Sequence, residues 1–164
     1  HMAKEFPNSQ FTGYDISEEA VSKGKAHAAE HGLSNVNLIA KDVAQIDDIQ
    51  KYDLITTFDA VHDQADPDTV LSNINTALKD EGVYLMQDIA GSSHVHNNLD
   101  HPLAPLLYTT SCMHCMTVSL SQGGKGLGAM WGKELATEML EAAGFSQVDI
   151  KEQEHDPINY YYIV

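Results

Sequence analysis

The sequence contains no arginine, and all nine of its basic residues are lysines. Against these lysines stand 24 Asp and Glu residues, which give a formal net charge of −15 with neutral histidines. Nucleic-acid binding depends on cationic side chains that neutralise phosphates, and the arginine guanidinium group is the usual bidentate partner of a phosphate. The composition therefore argues against a nucleic-acid partner.

Long apolar runs and cysteine pairs are also scarce. The longest apolar runs, such as Tyr52–Phe58, are far shorter than the ~20 residues of a membrane-spanning helix. The first residues contain no signal-peptide core, and two cysteines do not make a disulfide framework. We expect a soluble cytoplasmic protein with no membrane partner, and residues 1–2 are interpreted as a cloning scar.

Strand and helix patterns alternate through the first half of the chain. Strand-like runs at 11–15, 36–40, 52–58 and 82–89 alternate with helical patterns at 17–30, 43–49 and 66–78. The pattern at 66–78 is the clearest helix, because Asp66 is a good cap, Pro67 suits the first helical position, and apolar residues recur on one face. Alternation of this kind predicts a mostly parallel sheet with helices on both faces.

The second half departs from this alternation. Residues 93–132 show no strand period and are rich in His, Met, Gly and Thr, so they are predicted to form an inserted region of loops and helices. A helix at 134–143 and strands at 147–153 and 158–164 follow. Because only four residues separate the last two strands, they are predicted to form an antiparallel hairpin. We expect a single α/β domain over residues 3–164.

Acidic residues follow successive strands, where an open α/β sheet binds its ligands. Asp15 ends the first run and is suited to the two hydroxyls of a ribose, with a helix N-terminal acid as the alternative. Asp42 could accept a hydrogen bond from an exocyclic amine or belong to an ordinary loop. Asp59 and His62 share one turn, in which His62 could be a general base or simply a capping or core histidine.

Three further motifs are interpreted without a special function. The glycine run at 123–128 lacks the Gly-Lys-Ser/Thr of a P-loop and is predicted to be a flexible loop. Cys112 and Cys115 have C-x-x-C spacing but no second pair of ligands, so two buried thiols are expected. The histidines of the inserted region are expected to face solvent, and no metal site is predicted: His94, His96, His101 and His114.

The order of these elements resembles the class I S-adenosylmethionine-dependent methyltransferases. The sequence FTGYDIS at 11–17 is similar to the ribose-binding segment of that family, LIAKDV at 38–43 to its adenine-contacting segment, and Tyr52–Phe58 to its fourth strand. Residues 78–85 resemble the segment before the fifth strand, with Asp and Glu in place of the usual proline and glycine. The helix at 134–145 and the closing hairpin also match. Residues 112–131 resemble a branch in which a winged-helix domain precedes the methyltransferase domain.

The resemblance implies a Rossmann-like fold that binds S-adenosylmethionine. Asp15 with Ile16 would bind the ribose, and Asp42 with Val43 would hold the adenine. Phe58 and Asp59 would border the methionine end of the cofactor, and His62 would be the catalytic candidate. The inserted region would form the pocket of a small-molecule acceptor. The alternatives are a non-catalytic binding module with the same fold and a general nucleotide-binding domain.

The chain also departs from the family pattern at its beginning. The first strand and the glycine-rich loop of the family would lie upstream of Phe11, where only ten residues are present. We therefore expect a truncated domain that lacks its first strand and binds S-adenosylmethionine weakly or not at all. An open internal strand edge is a pairing template, so the first and third visible strands are expected to pair directly, or the chain to form a homodimer.

Overall fold

A computed structural model describes residues 1–164, which form two compact units, 1–46 and 47–164. The first unit contains α1 (Met2–Glu5), β1 (Phe11–Asp15), α2 (Glu18–Glu30) and β2 (Val36–Ala40). The second contains β3 (Tyr52–Phe58), α3 (Pro67–Ala77), β4 (Leu78–Ile89), α4 (Ala104–Thr110), α5 (Met116–Ser121), α6 (Gly132–Ala142), β5 (Asp149–Gln153) and β6 (Asp156–Ile163). None of these helices combines the length and apolar character that crossing a membrane requires.

The first unit is a parallel two-stranded sheet covered by α2. The side chain of Ser17 caps this helix by accepting a hydrogen bond from the Ala20 N–H at 3.2 Å. The sheet pairs Phe11 with Val36 and continues in register to the ends of both strands. A Cβ atom added at Gly13 or Gly24 would lie within 2.7 Å of a Leu38 methyl carbon, so the absence of side chains lets strand and helix approach closely.

The second unit contains a four-stranded sheet in the order β3-β4-β6-β5. β3 and β4 are parallel, whereas β6 is antiparallel to both of its neighbours. The tight connection between β5 and β6 makes the predicted hairpin, and β6 enters the sheet between β5 and β4. Together with the parallel pair in the first unit, this topology confirms the predicted fold class.

The core of the second unit lies between this sheet and helices α3 and α6. The apolar face of α3 is buried as its period predicts, and Asp66 caps the helix by accepting a hydrogen bond from the Thr69 N–H at 3.1 Å. Tyr84 from β4 is completely buried, and its hydroxyl lies 2.8 Å from Thr57 Oγ1. The other buried members of the core include Val70, Leu71, Ile74, Ala77, Met86, Ala136, Leu140 and Tyr162.

Several element boundaries differ from the sequence predictions. The weak helix at 43–49 is a single 3₁₀ turn, Val43–Gln45, because Ile46 already has an extended backbone. β4 begins at Leu78 instead of residue 82, since Leu78 leaves α3 in an extended conformation and pairs with Tyr52. An irregularity between Tyr52 and Leu54 accommodates the longer strand.

β3 is an edge strand and not the fully buried strand that its apolar run predicts. Leu54 is 50% exposed and Phe58 is 55% exposed, because β3 has a ladder partner, β4, on one side only. The expected direct pairing of β1 with β3 is wrong, since β1 pairs only with β2. The homodimer remains a prediction.

The inserted region is largely helical, and a π-helical turn at Ser111–Cys115 connects α4 with α5. The expectation of two buried thiols is half wrong, because Cys115 is buried and Cys112 is exposed. A π turn rotates less per residue than an α turn, so residues three apart no longer share a face.

The glycine run at 123–128 is held in place by backbone hydrogen bonds, which differs from the expected flexible loop. Lys125 N–H donates to Ala65 O at 3.1 Å, and Gly126 N–H donates to Ser119 Oγ at 3.0 Å. A Cβ atom at Gly124 would lie 2.4 Å from Ala65 Cα, so only glycine allows the loop to lie this close to the turn that precedes α3.

Candidate functional site

A buried histidine and a buried aspartate form the centre of the candidate site in the second unit. His62 lies in the turn after β3, and Asp88 lies near the end of the adjacent parallel strand β4, so the topology brings them to the same edge of the sheet. His62 Nδ1 lies 2.7 Å from Asp88 Oδ1. His62 is 3% exposed and Asp88 is fully buried. His62 was identifiable from the sequence but Asp88 was not; its signal is a carboxylate that follows the apolar run Val83–Met86 within a strand.

Two further donors point at the same carboxylate oxygen. The indole Nε1–H of Trp131 donates to Asp88 Oδ1 at 3.1 Å, and the backbone N–H of Ile89 donates to it at 2.8 Å. The second oxygen, Oδ2, is buried and has no hydrogen-bond partner. Trp131 therefore joins the N-terminus of α6 to the His62–Asp88 pair, and an oxygen lacking any donor remains at the centre of the site.

Opposing effects set the protonation of His62. Burial lowers the pKa of His62, but the hydrogen bond and negative charge of Asp88, together with the charges of Asp63 and Asp59, raise it above its usual value. A proton on Nδ1 is directed at Asp88, which leaves Nε2 on the opposite side of the ring. His62 is thus an oriented imidazole whose Nδ1 is fixed by Asp88 and whose Nε2 faces away from that carboxylate.

Asp63 and Cys115 also lie beside the His62 ring. His62 Nε2 lies 3.4 Å from Asp63 Oδ1, which is itself buried without a hydrogen-bond partner. One ring nitrogen of His62, one carboxylate oxygen of Asp63 and the Cys115 sulfur all lie within 4.8 Å of one another. Burial, with Asp63 as its neighbour, raises the pKa of the Cys115 thiol to about 11. Cys115 was not connected with the turn of His62 at the sequence level, because 51 residues of chain lie between Asp63 and Cys115.

Asp59 and Phe58 occupy the end of β3. Asp59 has a left-handed backbone with φ of +46°, which Asp tolerates better than most residues. Its N–H donates to Gln87 O at 3.0 Å, and the Gln87 side-chain amide donates to Asp59 Oδ2 at 3.4 Å. Partial burial and the charge of Asp88 raise the pKa of Asp59. The exposed Phe58 ring and the Asp59 carboxylate therefore lie at the sheet edge that holds His62.

The other predicted cofactor residues lie in the first unit, at the carboxyl ends of β1 and β2. Asp15 is exposed, and its Oδ1 accepts a hydrogen bond from Ser17 N–H at 2.7 Å. Ile16 is exposed as well. Asp42 Oδ1 accepts from Ala44 N–H at 2.9 Å, and Val43 opens the 3₁₀ turn. Since β1 and β2 are parallel neighbours, Asp15 and Asp42 lie at one edge of their sheet. Asp15 thus accepts a hydrogen bond at the N-terminus of α2, and its carboxylate remains exposed to solvent.

A second polar network fixes the loop after β4 to the N-terminus of α6. Ser93 N–H donates to Glu134 Oε2 at 2.7 Å, and Ser92 Oγ donates to Oε1 at 2.9 Å. In return, Ser93 Oγ accepts from Leu135 N–H at 2.9 Å. These bonds reproduce a capping box whose two halves come from distant segments. Ser93 Oγ also donates to Trp131 O at 2.7 Å, so the network holds Trp131, which donates to Asp88, in position.

Comparisons with solved structures show the fold. A candidate O-methyltransferase from Nostoc punctiforme is 22% identical over 99% of this chain and 46% of its own, with a TM-score of 0.75. PigF, solved with SAH, is 17% identical over 99% of this chain and 45% of its own, with a TM-score of 0.71. The [4+2]-cyclase SpnF is 18% identical over 88% of this chain and 44% of its own, with a TM-score of 0.62. The chain thus spans about half the length of these solved chains.

The sequence comparisons identify the family. No curated protein sequence matches the chain. A family profile described as a methyltransferase domain, however, matches residues 1–144. The match includes β1 to β4, the inserted region, α6, and every residue that the sequence analysis assigned to the cofactor or to catalysis. The chain therefore belongs to this methyltransferase domain family.

Proposed function

We propose that the protein transfers a methyl group from S-adenosylmethionine to a small-molecule acceptor. The observation that carries this proposal is the family match over residues 1–144. PigF, which has a similar fold, was solved with SAH, the product that S-adenosylmethionine leaves after methyl transfer. Because a cyclase also shares the fold, the proposal rests on the family match and on the residues described above, and not on the fold alone.

The residues at the strand ends suit this cofactor. In the first unit, the exposed Asp15 carboxylate can accept hydrogen bonds from ribose hydroxyls, with Ile16 beside it. Asp42 and Val43 follow the neighbouring strand and would contact the adenine. In the second unit, Phe58 and Asp59 would border the methionine portion.

Methyl transfer is an in-line displacement, so alignment and exclusion of water contribute more to the rate than acid or base groups. When bound, S-adenosylmethionine supplies an electrophilic methyl group on a sulfonium. The residue of this chain that can act on the acceptor is His62, whose Nδ1 is held by Asp88 and whose Nε2 carries a lone pair in the neutral form of the ring. Activation of the acceptor through this lone pair makes a hydroxyl, thiol or amine nucleophilic.

The acceptor is proposed to be a small organic molecule. The net charge of −15 and the absence of arginine disfavour DNA, RNA and anionic lipid surfaces as partners. His62 itself is almost completely buried, so a group that reaches it must be narrow or must enter as the inserted region moves.

Ligand binding by the isotope-labelled protein tests the proposal. We expect titration with S-adenosylhomocysteine, up to millimolar concentration, to shift the NMR signals of residues 13–17. Asp15→Ala should weaken this binding at least tenfold. Glu18→Ala is the matched control, because it removes an exposed carboxylate three residues away and should leave the affinity unchanged.

Turnover separates the enzyme from a non-catalytic module. Transfer of a labelled methyl group to members of a small-molecule panel supports the enzyme, and His62→Gln should lower the rate without changing cofactor affinity. Cofactor binding without any transfer to hydroxyl, thiol or amine acceptors would favour the non-catalytic module. Equal affinity in the wild type and in Asp15→Ala would contradict the assigned cofactor site.

A further inference from the structure

Three side chains of different chemistry converge beside the His62–Asp88 pair. A ring nitrogen of His62, a carboxylate oxygen of Asp63 and the sulfur of Cys115 lie within 4.8 Å of one another, and His62 Nε2 is 3.4 Å from Asp63 Oδ1. His62 and Asp63 come from the turn after β3, and Cys115 comes from the π-helical turn of the inserted region. An imidazole, a carboxylate and a thiol at such separations can all contact one ion.

The site contains buried acceptors that lack donors. Asp63 Oδ1 and Asp88 Oδ2 are both inaccessible to solvent and without a hydrogen-bond partner. A buried carboxylate oxygen that has lost its water costs free energy unless a donor or a cation compensates. The side chain that can bring a positive charge to these carboxylates is His62, which faces Asp59, Asp63 and Asp88. The negative charge therefore exceeds what the protein itself supplies in positive charge.

The histidine is oriented as a metal ligand requires. Its Nδ1 is directed at Asp88 at 2.7 Å, which fixes the tautomer and aims the Nε2 lone pair away from that carboxylate. Metal-binding histidines almost always have a carboxylate or carbonyl on their other nitrogen. Trp131 donates to the same oxygen of Asp88 and so fixes the supporting carboxylate as well.

We propose that His62, Asp63 and Cys115 bind a divalent metal ion of the zinc class. Nitrogen and sulfur donors select zinc and similar transition metals over magnesium or calcium, which require oxygen ligands. Three protein ligands leave a fourth, open position, the arrangement found in catalytic zinc sites. The role of the ion in catalysis rests on the proposed function: an ion bound to Nε2 would replace the free imidazole in activating the acceptor, because an acceptor oxygen in the open position loses its proton to solvent more easily.

The exposed cluster of His27, Glu30 and His31 on α2 is the competing site in the same chain. Its ligand atoms also lie within 4.8 Å of one another, but all three residues are exposed. One of its ring nitrogens, His31 Nδ1, lies 3.0 Å from the His27 carbonyl oxygen, and no carboxylate supports either imidazole. This cluster therefore provides the control for adventitious binding.

Cobalt titration of metal-free protein, without any cofactor, tests the proposal. We expect one equivalent of Co²⁺ to produce visible bands of a tetrahedral site and a thiolate-to-cobalt charge-transfer band in the near ultraviolet, and Zn²⁺ to displace it. Cys115→Ser should abolish the charge-transfer band. Cys112→Ser, the exposed cysteine of the same turn, should leave it intact, as should His31→Gln.

Asp88→Asn provides a graded variant that keeps all three ligands. Loss of a carboxylate behind a ligating histidine should lower Co²⁺ affinity by about 10–100-fold. Circular dichroism of each variant confirms that it is folded. Absence of a charge-transfer band in the wild type, or its loss in Cys112→Ser and retention in Cys115→Ser, would overturn the proposal. Because no cofactor or acceptor is present, failure here leaves methyl transfer untouched, and failure of methyl transfer leaves the metal site standing.

Discussion

Replacing Glu134 with Gln should destabilise the second unit in a manner that depends on pH. Burial alone would raise the pKa of Glu134, but the Ser93 N–H, the N–H of its own helix end and the Ser92 and Ser93 side chains lower it to about 2. The ordinary value is 4.5. The ionised carboxylate is therefore the form that the folded protein prefers.

The size of the effect follows from the difference between the two pKa values. At about 1.36 kcal/mol per pKa unit, a fall from 4.5 to about 2 corresponds to an upper bound of about 3 kcal/mol. Glu134 is exposed to solvent, which screens its interactions, so we expect about 1–2 kcal/mol at pH 7. Since the folded pKa is depressed, this stabilisation is fully present above pH 4.5 and disappears as the pH falls towards 2.

Urea unfolding followed by tryptophan fluorescence measures this contribution. Trp131, the only tryptophan, is buried beside Asp88 and reports on the unfolding of the second unit. The difference between wild type and Glu134→Gln should shrink to less than half between pH 7 and pH 3. Glu138→Gln, an exposed acid one turn further along α6, is the control and should cost little. A difference independent of pH, or an equal cost for Glu138→Gln, would refute the reasoning.

Three further predictions concern stability and reactivity. Gly124→Ala should lower the free energy of unfolding by more than about 2 kcal/mol, since its Cβ would lie 2.4 Å from Ala65 Cα. Gly123→Ala has open space around it and should cost only about 1 kcal/mol, because alanine disfavours the positive φ. Urea denaturation compares the two variants, and equal costs would contradict the anchored loop. Asp66→Ala should cost about 1 kcal/mol through loss of the α3 cap, and unchanged thermal stability would contradict that role. In the native protein a thiol reagent should modify Cys112 and leave Cys115 unmodified, with both reacting in urea, as mass spectrometry would show; native labelling of Cys115 would contradict its burial.

Local rules predicted much of the fold because they act within short segments. Ser17 and Asp66 cap helices in the structure as their sequence context predicts, and Gly144 ends α6 with a φ of +102°. The antiparallel hairpin followed from the shortness of its connection. Exposure of β3 could not be predicted, because an apolar run is compatible with a buried strand and does not reveal how many neighbours the strand has.

The candidate site was predicted only in part, and for a physical reason. His62 was identifiable, since a histidine beside acids after a strand is an unusual combination. Its partners are distant in sequence: Asp88 comes from the next strand, and Cys115 and Trp131 come from the inserted region. C-x-x-C spacing pointed to Cys112 as the partner of Cys115, whereas the π turn places the two thiols in different environments. Contacts between segments depend on packing, which spacing alone does not encode.

The position of β6 constrains how the nascent chain can acquire its structure. β4 is flanked by β3, which precedes it, and by β6, which is the last strand of the sequence. The backbone groups on one side of β4, including those of Tyr84 and Met86, thus have no strand partner until residues 160–164 are synthesised, after the inserted helices and α6. Such non-local pairing is slow, and an unpaired apolar edge attracts other chains during that interval. The yield of this molecule therefore depends on keeping this edge free of other chains during synthesis as well as on the stability of the finished sheet.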